Sequence, residues 1–185
     1  KKMEKLNEKE TLLELTFAIK TGLTVEELLN QTLSYYRTKL ECKAALVVEK
    51  NEKFTVKRAF PKTCTTKKNV KNTLVYLKKE STLATLKQSY YDVVKTGNEF
   101  HYVFRLSDYG YIILVKSQAI SSEFQDCLIA VFQFYGEALN SSQRLENKRL
   151  IKQQVKNEIE IQDLLIDIAN TYINVNLDEV EVTIN

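Results

Sequence analysis

Proline and glycine are nearly absent from this chain of 185 residues, which contains one proline and four glycines. Such scarcity leaves little chain for flexible linkers and largely excludes a glycine-rich phosphate-binding loop. Histidine occurs once, as His101, and the three cysteines, Cys42, Cys64 and Cys127, are odd in number and widely spaced. Disulfide frameworks and zinc sites are therefore poorly supported. The compartment we expect is the reducing cytoplasm.

Long hydrophobic runs are also missing. None approaches the roughly 18 apolar residues of a membrane-spanning helix, and the lysine-rich start lacks the apolar region of a signal peptide. We therefore expect no contact between this segment and a membrane. The net charge of +3 is too small to indicate nucleic-acid binding by itself. Because a nucleophile elbow, a Walker loop and an HExxH motif are all absent, we expect no enzymatic activity and no cofactor.

Two helices are predicted near the start of the chain. Residues 4–20 place apolar side chains at helical spacing. Thr24 and Glu27 then form a capping box, and Leu23 and Leu28 stand where a hydrophobic staple requires apolar residues. The helix that they open ends near Glu41.

The last helical pattern is longer than one small domain requires. It opens with a capping box at Ser122 and Gln125 and continues without proline to about Tyr172, so that roughly 50 residues would span about 75 Å. Its later part carries a thin apolar stripe among basic residues, which is typical of a two-stranded coiled coil. The stripe comprises Leu145, Val155, Ile159 and Ile166, and is called the apolar seam below. We predict a homodimer through the N- and C-terminal helices; the alternative is one amphipathic helix folded back on its own domain.

Two pairs of strands are predicted between these helices. They lie at 44–48 and 54–60, and at 101–106 and 109–115, the second pair being joined by a tight turn. Residues 62–98 are less regular and suggest a polar, lysine-rich loop, a strand or helix around Leu74–Leu77, and a short helix from Ser81 to about Tyr90. The predicted class is α+β: a central antiparallel sheet of about five to six strands, N- and C-terminal helices packed on one face, and a long C-terminal exit helix.

The two ends of the chain resemble each other. Residues 175–180 repeat the capping pattern of residues 23–28 position by position, 152 residues later, a domain-sized interval. We therefore predict a domain over residues 1–140, a coiled-coil signalling helix over residues 141–163, and the truncated start of a second, similar domain over residues 164–185. The alternative is that any two amphipathic helix starts look alike.

The order of elements resembles the GAF domain family. Residues 100–140 are the most similar in kind, with two strands, the turn at Ser107 and Asp108, Gly110, and the opening of the exit helix. The resemblance implies a sensor module of a bacterial signalling protein, with helices on one face of the sheet and a ligand pocket or variable cover on the other. The family's bilin-attaching Cys-His pair and its cyclic-nucleotide signature are not recognisable here.

Four side chains are candidates for contact with a small ligand in such a pocket: Tyr76, Tyr91, His101 and Arg105. His101 and Arg105 share one face of their strand, so they either point into a cavity or lie on a solvated outer face. Arg105 would offer bidentate contact to a carboxylate or phosphate. Tyr76 and Tyr91 come from the variable middle and either stack on a planar ligand or pack in the core.

Residues 53–87 carry ten basic side chains and one acid, Glu80. Such a segment could steer an anion or bind nucleic acid, although a solvated loop is the more frequent explanation. Cys64 lies among these residues and is a weak candidate for a redox sensor. The predicted function is a non-catalytic sensory and dimerisation module that relays the state of a small ligand through long helices. The alternatives are a regulatory nucleic-acid-binding protein that uses residues 53–87, and a structural spacer without a ligand.

Overall fold

The computed structural model describes the backbone of residues 2–184 and the side-chain surroundings of residues 7–174. The fold is α+β, with a five-stranded antiparallel sheet and a long C-terminal helix, as predicted. The helices are α1 (Lys2–Phe17), α2 (Val25–Lys39), α3 (Lys68–Leu77), α4 (Glu80–Ser89) and α5 (Ser122–Ile184), with a 3₁₀ helix at Lys62–Thr66. The strands are β1 (Ala44–Glu49), β2 (Thr55–Phe60), β3 (Tyr91–Thr96), β4 (Glu99–Leu106) and β5 (Gly110–Lys116).

The sheet has the strand order β2-β1-β5-β4-β3. Every neighbouring pair is antiparallel, and the β1–β5 pair joins the two predicted hairpins at the centre. β3 is an edge strand that the sequence did not predict; it pairs with β4 alone, and most of its side chains are only half-buried. A half-buried edge strand needs no continuous apolar run, which explains why its pattern is weak.

Helices α1, α2 and α5 cover one face of the sheet and form the larger core. The capping box of α2 is confirmed, with the side chain of Glu27 accepting from the Thr24 amide at 2.9 Å. Tyr36, which is fully buried, donates its hydroxyl to the Leu15 carbonyl at 2.9 Å and so ties α2 to α1. Its ring lies 5.2 Å from that of Tyr135 on α5, an edge-to-face contact.

The other face of the sheet is covered by the 3₁₀ helix, α3 and α4. The predicted lysine-rich loop was therefore wrong, whereas the predicted helix from Ser81 to about Tyr90 is confirmed as α4. The lysines lie on the exposed sides of these short helices, whose inner sides pack on the sheet. The inward residues are Val70, Leu77 and Leu86. Cys64, the weak candidate for a redox sensor, is fully buried here rather than in a polar loop, and burial raises the pKa of its thiol instead of lowering it.

The chain divides into two compact units, one ending at Gln143 and one beginning at Arg144. The second unit consists of the later part of α5, whose backbone is helical as far as Ile184. The predicted second capping pattern at residues 175–180 lies outside the residues whose side chains are described. Among the described helices, none is both long enough and apolar enough to cross a membrane.

Candidate functional site

A cavity of about 350 Å³ lies where α4 approaches the end of β4 and the start of β5, and is called the α4 cavity below. Leu83 and Lys87 lie one helical turn apart on α4, so both face it. Lys50 follows β1, and its amide donates to the Tyr109 carbonyl at 2.9 Å, which brings it to the β4–β5 turn. The complete lining is Lys50, Leu83, Ala84, Lys87, Arg105, Asp108 and Tyr111.

Arg105 is held in place by its own turn. Its Nε donates to the Ser107 carbonyl at 3.0 Å, and its Nη2 donates to Asp108 Oδ1 at 3.2 Å. The guanidinium carbon also lies 5.7 Å from the centre of the Tyr90 ring, within the range of a cation–π contact. Because three contacts fix its plane while a quarter of the side chain stays exposed, Arg105 is a preorganised donor at the cavity.

Tyr111 forms the floor of the cavity from β5. Its ring is stacked on that of Phe54 at 6.2 Å, and only 5% of the residue is exposed. Burial raises the pKa of Tyr111, and the charge of Arg105 opposes that rise. The phenol therefore remains protonated near neutral pH and can donate a hydrogen bond.

The β4–β5 turn that holds Arg105 is clamped against α5. Gln133 Nε2 donates to the Arg105 carbonyl at 2.8 Å, and the Ser107 hydroxyl bonds to the carboxylate of Glu137. Between these contacts, Gly136 packs against the Leu106 backbone so closely that a Cβ would lie 2.2 Å from its carbonyl carbon. Only glycine permits this approach, and the turn and the helix are thus in direct backbone contact.

His101 does not reach the α4 cavity and is not solvated on an outer face; it is fully buried. Its Nδ1 lies 2.6 Å from the Thr73 hydroxyl on α3, and its Nε2 lies 3.4 Å from Glu99 Oε2. Burial lowers the pKa of His101, and Glu99 opposes that shift. The histidine therefore joins α3 to β4.

The two predicted tyrosines also lie elsewhere. The Tyr76 hydroxyl donates to Asp92 Oδ2 at 3.1 Å, which links α3 to β3. Tyr91 stacks on Phe104 at 5.7 Å, on the sheet face that α1, α2 and α5 cover. Of the four predicted ligand residues, only Arg105 lines the α4 cavity. Its partners Lys50 and Lys87 could not be found by sequence reasoning, because their approach depends on the packing of α4.

The second unit leaves its apolar side chains uncovered within the described part of the chain. In the apolar seam, Val155 is 50%, Ile159 53% and Ile166 57% exposed, while Leu145 is half-buried. A second apolar stripe lies roughly on the other side of the helix, since two residues turn an α-helix by about 200°. This second stripe comprises Ile161, Leu165, Ile168 and Tyr172, each more than half exposed.

Comparison with known proteins gave no assignment: no protein-family model matches the chain, and no curated protein matches it.

Proposed function

We propose that this protein is a non-catalytic sensory and dimerisation module of a GAF-like type. In this proposal, the α4 cavity takes a small ligand, and α5 relays its presence along a helical dimer to an output domain. The observation that carries the proposal is the exposure of the apolar seam on α5. Half-exposed isoleucines at an interval of seven residues, Ile159 and Ile166, are what a second helix would cover.

The seam is long enough for a dimer of low affinity. Covering the exposed half of one Val or Ile contributes about 1 kcal/mol, on the usual scale for burial of apolar side chains. This gain is opposed by the loss of translational and rotational freedom on association, so a seam of four residues supports a weak dimer rather than a tight one. Flanking ion pairs add little, because Lys156 and Glu160 are solvent-exposed. We therefore expect a dimer that is populated at high micromolar concentrations.

The sensory half of the proposal is supported by the first unit. Its antiparallel sheet carries α1, α2 and α5 on one face and a cover of short helices on the other, the arrangement that the resemblance implies. The α4 cavity lies under that cover and is of the size of small-ligand sites. The turn of Arg105 contacts α5 directly, so a ligand there has a physical route to the relay helix.

Sedimentation equilibrium tests the dimer. The parent chain should dimerise at high micromolar concentrations, and the triple variant Val155→Gln, Ile159→Gln, Ile166→Gln should be monomeric, because its seam is polar. A matched control carries the same substitutions in the second stripe, at Ile161, Leu165 and Ile168, and should remain dimeric. Glutamine keeps high helix propensity, so both variants should retain their helicity.

Each outcome is decisive. A parent chain that is monomeric at high micromolar concentration would reject the proposed function. A dimer that is lost in the control but kept in the seam variant would place the interface on the second stripe and reject the seam.

A second candidate function rests on the exposed lysines of the cover. Lys62, Lys71 and Lys78 are all exposed, and Glu80 is the single acid between residues 53 and 87. Such a surface would bind nucleic acid with an affinity that falls steeply as salt rises. No retention of duplex DNA at about 50 mM salt would end this alternative.

A further inference from the structure

We infer that the α4 cavity binds a small organic oxyanion, a carboxylate or phosphate on a compact apolar body, and that the Arg105 turn couples its occupancy to α5. This inference names the ligand class for the sensor proposed above and rests on that function for its coupling step. The binding step depends only on the residues that line the cavity.

The charge of the cavity favours an anion. Lys50, Lys87 and Arg105 come from three separate elements and converge on it, whereas Asp108 is its single acid. Asp108 forms an ion pair with Arg105 at 3.2 Å, which leaves Lys50 and Lys87 as the charges that it does not offset. Among the described residues, Lys50 and Lys87 form no ion pair. An oxyanion would supply the counter-charge that the protein does not.

The available donors match an oxyanion in geometry as well as in charge. Arg105 uses Nε and one Nη2 hydrogen within its turn, which leaves Nη1 without a hydrogen-bond partner among the described residues. The Tyr111 hydroxyl likewise has no hydrogen bond to the described residues, and Tyr111 lines the same cavity. A guanidinium fork fixed by its own turn is suited to a planar carboxylate or to two phosphate oxygens.

The remaining walls explain why the ligand has an apolar part. Leu83 and Ala84 present aliphatic surface from α4, opposite the Tyr111 ring. A volume of about 350 Å³ exceeds that of a bare phosphate or acetate and suits a small ring or branched chain that carries the anionic group. Inorganic phosphate alone would leave this apolar wall uncovered.

Coupling follows from the position of Arg105 in the chain. The residue that would bind the anion accepts a hydrogen bond from Gln133 through its carbonyl, and the next two residues contact Gly136 and Glu137 of α5. Reorientation of the guanidinium would therefore be felt at three consecutive positions of the turn. Because Gly136 leaves no space between helix and backbone, the turn cannot move without α5.

Titration followed by NMR tests binding and coupling together. The probes are benzoate and phenyl phosphate, with benzyl alcohol as a neutral compound of similar size. We expect saturable shifts of the Arg105 side-chain Nε–H and of the backbone amides near Gly136 with one or both anions, and none with benzyl alcohol. The anion that binds with the higher affinity shows whether the cavity prefers a carboxylate or a phosphate.

Substitutions locate the site. Lys87→Gln changes an exposed side chain on α4 and should fold normally while weakening binding severalfold. Arg105→Gln should weaken it about tenfold or more, the loss of a charge-assisted hydrogen bond. Lys71→Gln removes the same charge from the exposed side of α3, outside the cavity, and should leave the affinity unchanged.

The outcomes separate this inference from the proposed function. If neither benzoate nor phenyl phosphate binds more tightly than benzyl alcohol, or if the Lys71 and Lys87 substitutions weaken binding equally, the anion site is overturned even in a protein that dimerises. If anion binding shifts the Arg105 Nε–H resonance but no amide resonance of α5, the coupling between the cavity and α5 is overturned. If the protein is monomeric but binds the anions as described, the proposed relay through a helical dimer is rejected, and the anion site stands.

Discussion

Gly136→Ala tests the contact between α5 and the β4–β5 turn, on which coupling depends. An added Cβ would lie 2.2 Å from the carbonyl carbon and 2.3 Å from the carbonyl oxygen of Leu106. Ordinary contacts between carbon atoms lie near about 3.5–4.0 Å, so helix and turn must separate by more than about 1 Å. Overpacking of this kind destabilises folded proteins by about 1–3 kcal/mol.

Two further terms set the net effect. Separation stretches the 2.8 Å hydrogen bond from Gln133 to the Arg105 carbonyl, the loss of which costs about 1 kcal/mol. In the other direction, alanine is favoured over glycine inside a helix by about 1 kcal/mol. These terms nearly cancel, and we expect Gly136→Ala to lower the free energy of unfolding by about 2 kcal/mol.

Urea denaturation followed by circular dichroism measures this difference. Ser141→Ala is the matched control, because Ser141 is exposed on the same helix, and its replacement should change stability by less than about 0.5 kcal/mol. A Gly136→Ala protein as stable as the parent, or more stable, would refute the reasoning, since helix propensity alone predicts that gain.

Three further predictions follow from single residues. Because burial lowers the pKa of His101 below its ordinary 6.5, the unfolded chain takes up the proton first as pH falls. The free energy of unfolding should therefore decline below about pH 6.5, and His101→Gln should flatten that decline when denaturation is measured against pH. Native labelling with a thiol reagent should modify Cys127, which is exposed, and spare the buried Cys64 at equal reagent and time; fast labelling of Cys64 would contradict its burial. Thr24→Ala removes the capping box of α2 and should destabilise the protein by about 1 kcal/mol in thermal denaturation, whereas Thr24→Ser should be nearly neutral.

Features set by residues that are close together along the chain were predictable from the sequence. The capping box of Thr24 and Glu27 is one, because both partners lie within one helical turn. The strands β1, β4 and β5 are another, because they lie inside the sheet and are apolar over most of their length. The course of α5 from Ser122 to about Tyr172 followed from the absence of proline, although the helix continues to Ile184.

Features that depend on tertiary packing were not predictable. His101 was a candidate ligand residue because the pattern of β4 indicated its face of the strand but not that α3 covers this face. Its hydrogen-bond partner on α3, Thr73, is 28 residues away along the chain. The α4 cavity needs Lys50 and Lys87 to meet at Arg105, and no local pattern encodes that meeting. The stretch before α4 was mistaken for a loop because the 3₁₀ helix and α3 carry many lysines, which obscure a narrow apolar side.

Disulfide cross-linking at the apolar seam tests the central claim, that a second copy covers α5, most directly. In a Cys127→Ser background, Ile166→Cys should form a covalent dimer rapidly under mild oxidation, because a parallel seam brings the two copies of this position within the reach of a disulfide. Thr171→Cys, on the polar side of the same helix, should react slowly. Equally slow reaction at both positions, at concentrations where the parent chain is tested for dimerisation, would contradict the account.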